Sequence, residues 1–170
     1  MKKFGMLVAS FLVAYGAVNV SKVAAVSAGS EQEAKFLVSM SEHHKDGIEM
    51  AKMALAKAQS KEVKKLAQKI SSEQSAELKK METWQSKWYP KTEIKPETPK
   101  MDMSKLEQAS GKDFDRSFLD MMTEHHNQAI EMTKSALSGL EHKEAKAMAE
   151  KGLKTQAAEV AKMEKLKASL

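Results

Sequence analysis

The chain has 170 residues, which suits one domain, and no cysteine, which excludes disulfide staples and any thiolate ligand for a metal. Its formal charge of +5 falls to +2 once the first 28 residues, with Lys2, Lys3 and Lys22, are set aside. Lysines and glutamates are interspersed over the rest, a solvated helical surface that excludes a nucleic-acid or membrane footprint.

Met1-Lys2-Lys3 precedes an apolar run from Phe4 to Val20, and Val26-Ser27-Ala28 offers small residues at a cleavage point. These regions read as a secretory signal peptide over residues 1–28, because the apolar run is shorter than the roughly 20 residues of a membrane span. No cysteine follows to take a lipid, so the mature chain is expected to be soluble in the periplasm of a bacterium, without stable membrane insertion.

Residues Phe36 to Met50 return almost intact as Phe118 to Met132 at an offset of 82. At the same offset Glu62, Ala67, Gln74, Glu77 and Met81 recur as Glu144, Ala149, Gln156, Glu159 and Met163. The mature chain, 29–170, is therefore a duplication: repeat 1 spans about 31–88, a linker 89–112, and repeat 2 about 113–168. Four of the five histidines fall in the two His-His pairs, so imidazole is the group most suited to any chemistry of the repeat.

From Glu31 to Ala58 the apolar residues Phe36, Leu37, Met40, Ile48, Ala51, Ala54 and Leu55 share one broad helical face. His44 lies inside that face and His43 at its edge, beside Gly47 and Met50. Position 47 is small in both copies, as Gly47 and Ala129, which leaves room for a neighbouring group to approach the histidines. A break at Gln59-Ser60-Lys61 precedes a second helix whose stripe runs through Val63, Leu66, Ala67, Ile70, Leu78, Met81, Trp84 and Trp88. Gln74 and Glu77 interrupt this stripe, and a buried polar residue needs a partner. With the turn at Ser60, His44 stands 16 residues before it and Glu77 17 after it. Antiparallel helices then place the two at one height, about 25 Å from the turn.

The linker holds all three prolines, Pro90, Pro96 and Pro99, which forbid a continuous helix; a short helical turn is expected around Ser104 to Gln108. Trp84, Trp88 and Tyr89 at its start read as a cap over one bundle end. A third helix opens near Ser110 to Asp113 and carries Phe114, Phe118, Met122, His126, Ile130 and Leu137 inward. Its turn is expected at Ser138-Gly139, with Gly139 as C-cap. A fourth helix runs to about Ala168 with Ala145, Met148, Ala149, Gln156, Glu159, Val160 and Met163 inside, and His126 to Glu159 repeats the spacing of His44 to Glu77. His142 has no repeat partner and reads as a surface residue. The fold is all-α, a ferritin-like four-helix bundle of two duplicated hairpins with a long proline-containing crossover.

All four helices carry their polar layer near mid-length, so imidazole, thioether and carboxylate converge near the bundle centre, in one shared site or two adjacent ones. That is the composition of a metal site. His43, His44, His125 and His126 are the primary candidates, with Met40, Met50, Met122 and Met132 in reach. Glu77 and Glu159 serve as further ligands or as acceptors that orient the imidazoles. Thioether selects the metal: hard ions gain nothing from sulfur, whereas cuprous ion takes sulfur and imidazole together, which favours Cu(I) with Cu(II) as the other oxidation state. Beside this stands a structural reading, in which the His/Glu layer is a buried network that fixes register and the methionines fill gaps. Met101-Asp102-Met103 and Met121 carry a weaker signal: the linker pair reads as an exposed metal-catching spot, or as chance in a chain with 13 methionines, and Met121 has no reading of its own. A di-iron carboxylate site wants Glu-x-x-His on two helices, which is absent, and no haem, hydrolase or nucleotide motif is present.

The run Asp113-Phe-Asp-Arg-Ser-Phe118 leading to Met122-Thr-Glu-His-His126, then Ala129-Ile-Glu-Met132 and Gln156-Ala-Ala-Glu159, resembles the signature of domain-of-unknown-function family 305. The resemblance covers both repeats and implies a ferritin-like fold in a mostly secreted bacterial group. The methionine-rich composition is similar to that of its CopM-type branch, which implies periplasmic copper binding and copper resistance. Carried over, it implies metal positions at Met40, His43, His44, Met50, Met122, His125, His126 and Met132. The first copy departs from the pattern, with Glu33-Ala-Lys35 where the second has Asp115-Arg-Ser117. The expected function is copper sequestration or delivery to an unspecified partner protein, without enzymatic activity; the alternative is an envelope chaperone or interaction module whose His/Glu layer is structural.

Overall fold

The first helix turns back at Ser60 because its apolar stripe ends there and the chain supplies a cap: Ser60 Oγ accepts the Val63 amide at 3.3 Å. The computed structural model describes residues 28–90 and 93–170. The expected signal peptide lies outside the described residues except for Ala28. Helices α1 (Ala28–Lys57) and α2 (Lys61–Trp88) form the first hairpin, α3 (Ser104–Gln108) lies in the crossover, and α4 (Gly111–Ala136) and α5 (Lys143–Ala168) form the second. The described residues contain no strand, and the expected all-α bundle of two hairpins is what forms.

Each hairpin packs on itself, and the two meet chiefly through α1 against α4. The core divides into two apolar clusters. One gathers Met50, Ala54, Val63, Leu66, Ile70, Leu106, Phe114, Phe118, Met122 and Met163; the other gathers Phe36, Leu37, Met40, Met81, Ala129, Ala136, Ala145 and Ala149. Full burial of each large side chain contributes about 1.5–3 kcal/mol. The His-His pairs, at 43–44 and 125–126, fall between the two clusters along both α1 and α4.

Two carboxylates join the hairpins by a reciprocal exchange. Asp115 on α4, almost fully buried, accepts the amides of Gln59 and Ser60 at 3.0 and 2.7 Å in the first hairpin's turn. Glu33 on α1, fully buried, accepts those of Glu141 and His142 at 2.6 and 3.0 Å in the second. These positions are related by the same offset of 82, so the apparent departure at Glu33-Ala-Lys35 preserves the capping carboxylate. The amides at and just before the N-caps of α2 and α5 are satisfied in this way.

The second turn differs from expectation. Leu137–Gly139 forms a 3-10 turn, and Gly139 does not adopt the left-handed conformation of a C-cap; among the described residues only Gly111 does, at φ 61°. Gly139 is small for a packing reason: an added Cβ would stand 2.0 Å from Gln32 Oε1, whose amide nitrogen donates to the Ser135 carbonyl. His142 is also more than a surface residue. Its Nδ1 donates to Glu33 at 3.0 Å, and its ring stacks on Trp88 at 3.7 Å, extending the expected aromatic cap of Trp84, Trp88 and Tyr89.

The crossover is fastened along α1. The Glu97 amide donates to Ser39 Oγ, the Met101 amide donates to Asp46, and Lys57 donates to the Glu107 carbonyl. α3 forms where the short turn was expected and buries Leu106. Met103 is buried as well and belongs to the core, which removes it from any exposed metal-catching spot.

Candidate metal centre

Helix geometry delivers two of the four imidazoles where chain arithmetic placed them. His44 Nε2 donates to Glu77 at 3.0 Å, and His126 Nε2 donates to Glu159 at 2.8 Å, each across its own hairpin. Of the two roles open to these carboxylates, the structure shows the acceptor that orients an imidazole. The pairs differ in setting: Glu159 is more buried than Glu77 and also takes the Lys69 ammonium at 2.6 Å.

His43 and His125 turn the other way, toward the seam between α1 and α4. Sequence placed His43 at the edge of the apolar face, yet both rings are buried because each covers the other. They stack at 3.6 Å between centroids with 23° between planes, and His125 Nε2 donates to the His43 carbonyl at 2.8 Å. Gly47 makes this possible. A Cβ there would stand 2.6 Å from His125 Cε1 and 2.2 Å from Gln74 Oε1, so the close approach expected at position 47 is realised in the first copy.

Burial and the nearby rings of His44 and His126 push His43 from its ordinary 6.5 down to about 3. Burial, with His43 alongside, holds His125 well below its ordinary range too. Both are therefore neutral near pH 7, the form that ligates a metal. For Glu159, burial alone raises the carboxyl, but hydrogen bonds and charge from His126 and Lys69 outweigh it and hold it below the usual range.

The layer is rich in unpartnered buried polar atoms. Both ring nitrogens of His43, Nδ1 of His44, His125 and His126, and Oε1 of Gln74 and Gln156 have no hydrogen-bond partner. In His125, a neutral ring whose Nε2 donates, Nδ1 keeps the lone pair and is free to ligate. Such orphans are costly unless something occupies them.

The methionines sort by cluster. Met50 and Met122 are fully buried in one, Met40 is buried in the other, and Met132 packs half-buried against that second cluster. Each His-His pair is thus bracketed along its helix by thioethers from opposite clusters. A groove of about 1230 Å³ between α1 and α4 is lined by His43, His125, Met132, Met101 and Met121, with acidic residues such as Asp46 and Glu124. His44, His126, Met40, Met50, Met122, Glu77 and Glu159 do not line it. The expected donors therefore fall into a His43/His125 pair on the groove and two His–Glu pairs behind it. Among the described residues no three His, Asp or Glu side chains already form a metal-holding group; Glu77 and Glu159 are turned to His44 and His126. Sequence gave Met101 and Met121 only weak signals and missed Lys69, which lies on the wet face of its helix.

The family model described as "Domain of unknown function (DUF305)" matches residues 33–167. Among solved structures, CopM in its Cu(II)-bound form is 31% identical, with a TM-score of 0.72, over 81% of this chain and 96% of that one. CopM in its Cu(I)-bound form is 34% identical, with a TM-score of 0.73 and the same coverage. A DUF305 protein of Streptomyces coelicolor, described as secreted, is 29% identical with a TM-score of 0.75, over 81% of this chain and 91% of that one. No curated protein sequence matches the chain.

Proposed function

The chain belongs to the DUF305 family, and on that premise we propose that it is a periplasmic copper-binding protein that sequesters or delivers the ion and is not an enzyme. The observation that carries this reading is the set of unpartnered buried ring nitrogens on His43 and His125 at the groove and on His44 and His126 behind it. The two rings on the groove are neutral at pH 7, so an ion meets lone pairs rather than protons. Thioethers of Met40, Met50, Met122 and Met132 bracket the layer, a donor set suited to a soft ion. CopM, solved with Cu(I), Cu(II) and silver, supports the same choice of metal. The secreted relative supports a location outside the cytoplasm, and no helix among the described residues is long and apolar enough to cross a membrane.

The His44–Glu77 and His126–Glu159 pairs favour the second reading, a bundle whose polar layer is structural and whose surface recruits partners. Elemental analysis of protein purified from a copper-supplied periplasm separates the two. Copper is expected in the wild type, with the largest loss in His43→Ala/His125→Ala and a partial loss in His44→Ala/His126→Ala. Copper content equal in all three proteins, or absent from the wild type, rejects the copper reading.

A further inference from the structure

The repeat explains thioethers inside the core, but the groove presents two others that lie outside the repeated pattern. We propose that Met101 and Met121, together with His43 and His125, form a soft-metal capture site at the solvent face of the groove, where an incoming cuprous or silver ion is first held. This deepens the proposed copper binding and rests on it, adding the residues through which the ion enters.

Placement is the first argument. Met101 sits in the crossover, but its amide donates to Asp46 Oδ2 at 3.0 Å, which fixes it against α1 one helical turn beyond His43. Met121 lies on α4 four residues before His125, so the two share a face. His43 and His125 are themselves in ring contact. Both thioethers are thus held toward the same end of a joined pair of imidazoles, packed against one apolar cluster, and all four side chains line one groove.

Chemistry is the second. His43 has two unpartnered ring nitrogens and His125 one, and both residues are more than nine-tenths buried while facing the groove. Met101 and Met121 are half-buried, with part of each side chain in the core and part in solvent. Two imidazoles and two thioethers, without thiolate, suit a monovalent d10 ion and offer little to zinc or magnesium. Asp46, Asp102 and Glu124 on the groove walls add a negative field that draws cations toward the rings. Met40, Met50 and Met122 have no place on the groove, whereas Met101 and Met121 meet an ion arriving there.

The test is a titration of the exported, purified protein with silver ion, which does not change oxidation state, followed by NMR of ¹³C-methyl methionine and of the histidine rings. The first equivalent is expected to move the methyls of Met101 and Met121 and the rings of His43 and His125. The Met101→Leu/Met121→Leu variant keeps the side-chain volume. It is expected to bind silver on the order of tenfold more weakly, with an unchanged helical circular dichroism spectrum. First-equivalent shifts confined to Met40, Met50 or Met122, or unchanged affinity in the leucine variant, would overturn the capture site and leave copper binding standing. Absence of any methionine or histidine response to silver and to cuprous ion would overturn both.

Discussion

His43 and His125, 82 residues apart and equivalent in the duplication, lie ring on ring at 3.6 Å across the seam between the hairpins. A duplication that places the same residue on both sides of a pseudo-two-fold axis brings like groups together, and for imidazole that is tolerable only while the rings stay neutral. The contact therefore ties fold stability to protonation.

Acid should weaken the metal-free protein. Unfolded histidines take up protons below about pH 6.5, whereas His43 resists protonation down to about 3 and His125 is shifted the same way. Unfolding then binds protons, so stability is full above 6.5 and declines as pH falls toward 3. The loss is about 1.4 kcal/mol per pH unit for each ring that stays neutral. Glu159, held low, adds a loss below about 4.5, as pH falls through its folded value. Urea unfolding at pH 7.5 and 5.0 without metal checks this; equal midpoints would contradict it.

The exchanged caps should matter about equally. Asp115→Ala leaves the Gln59 and Ser60 amides without an acceptor, and Glu33→Ala does the same to Glu141 and His142. Each is expected to cost about 2–4 kcal/mol, with the double variant near the sum because the turns lie at opposite ends. Denaturation of the three variants measures it, and a negligible effect from Glu33→Ala would refute the equivalence of the copies.

Two glycines should differ. Gly47→Ala drives a Cβ into Gln74 and the His125 ring inside the core, so a loss of about 1–3 kcal/mol and a displaced His125 are expected. Gly139→Ala meets only Gln32, an exposed and flexible side chain that can move aside. Unfolding curves, with histidine ring NMR for Gly47→Ala, separate the two, and the reverse ranking would disprove the packing argument.

The paired carboxylates should not be interchangeable. Glu159→Gln removes a buried charge shared by His126 and Lys69 and is expected to cost about 2 kcal/mol. Glu77→Gln, at a site with a fifth of the side chain exposed, is expected to cost less than about 1 kcal/mol. Thermal unfolding of both variants in one buffer decides the order.

Much of this was legible in the chain alone. Duplication, hairpins, the broken linker and the levels of His44 with Glu77 and His126 with Glu159 follow from sequence, because a helix has a fixed rise and a short turn leaves the returning helix little freedom. Tertiary packing alone decided the rest: which imidazole of each pair faces the seam, that Glu33 and Asp115 cap each other's hairpins, and that Met101 and Met121 reach the groove while Met50 and Met122 do not. Those relations join residues on different hairpins. They depend on how side chains interlock between α1 and α4 and on where the crossover is pinned, and local periodicity carries no record of either.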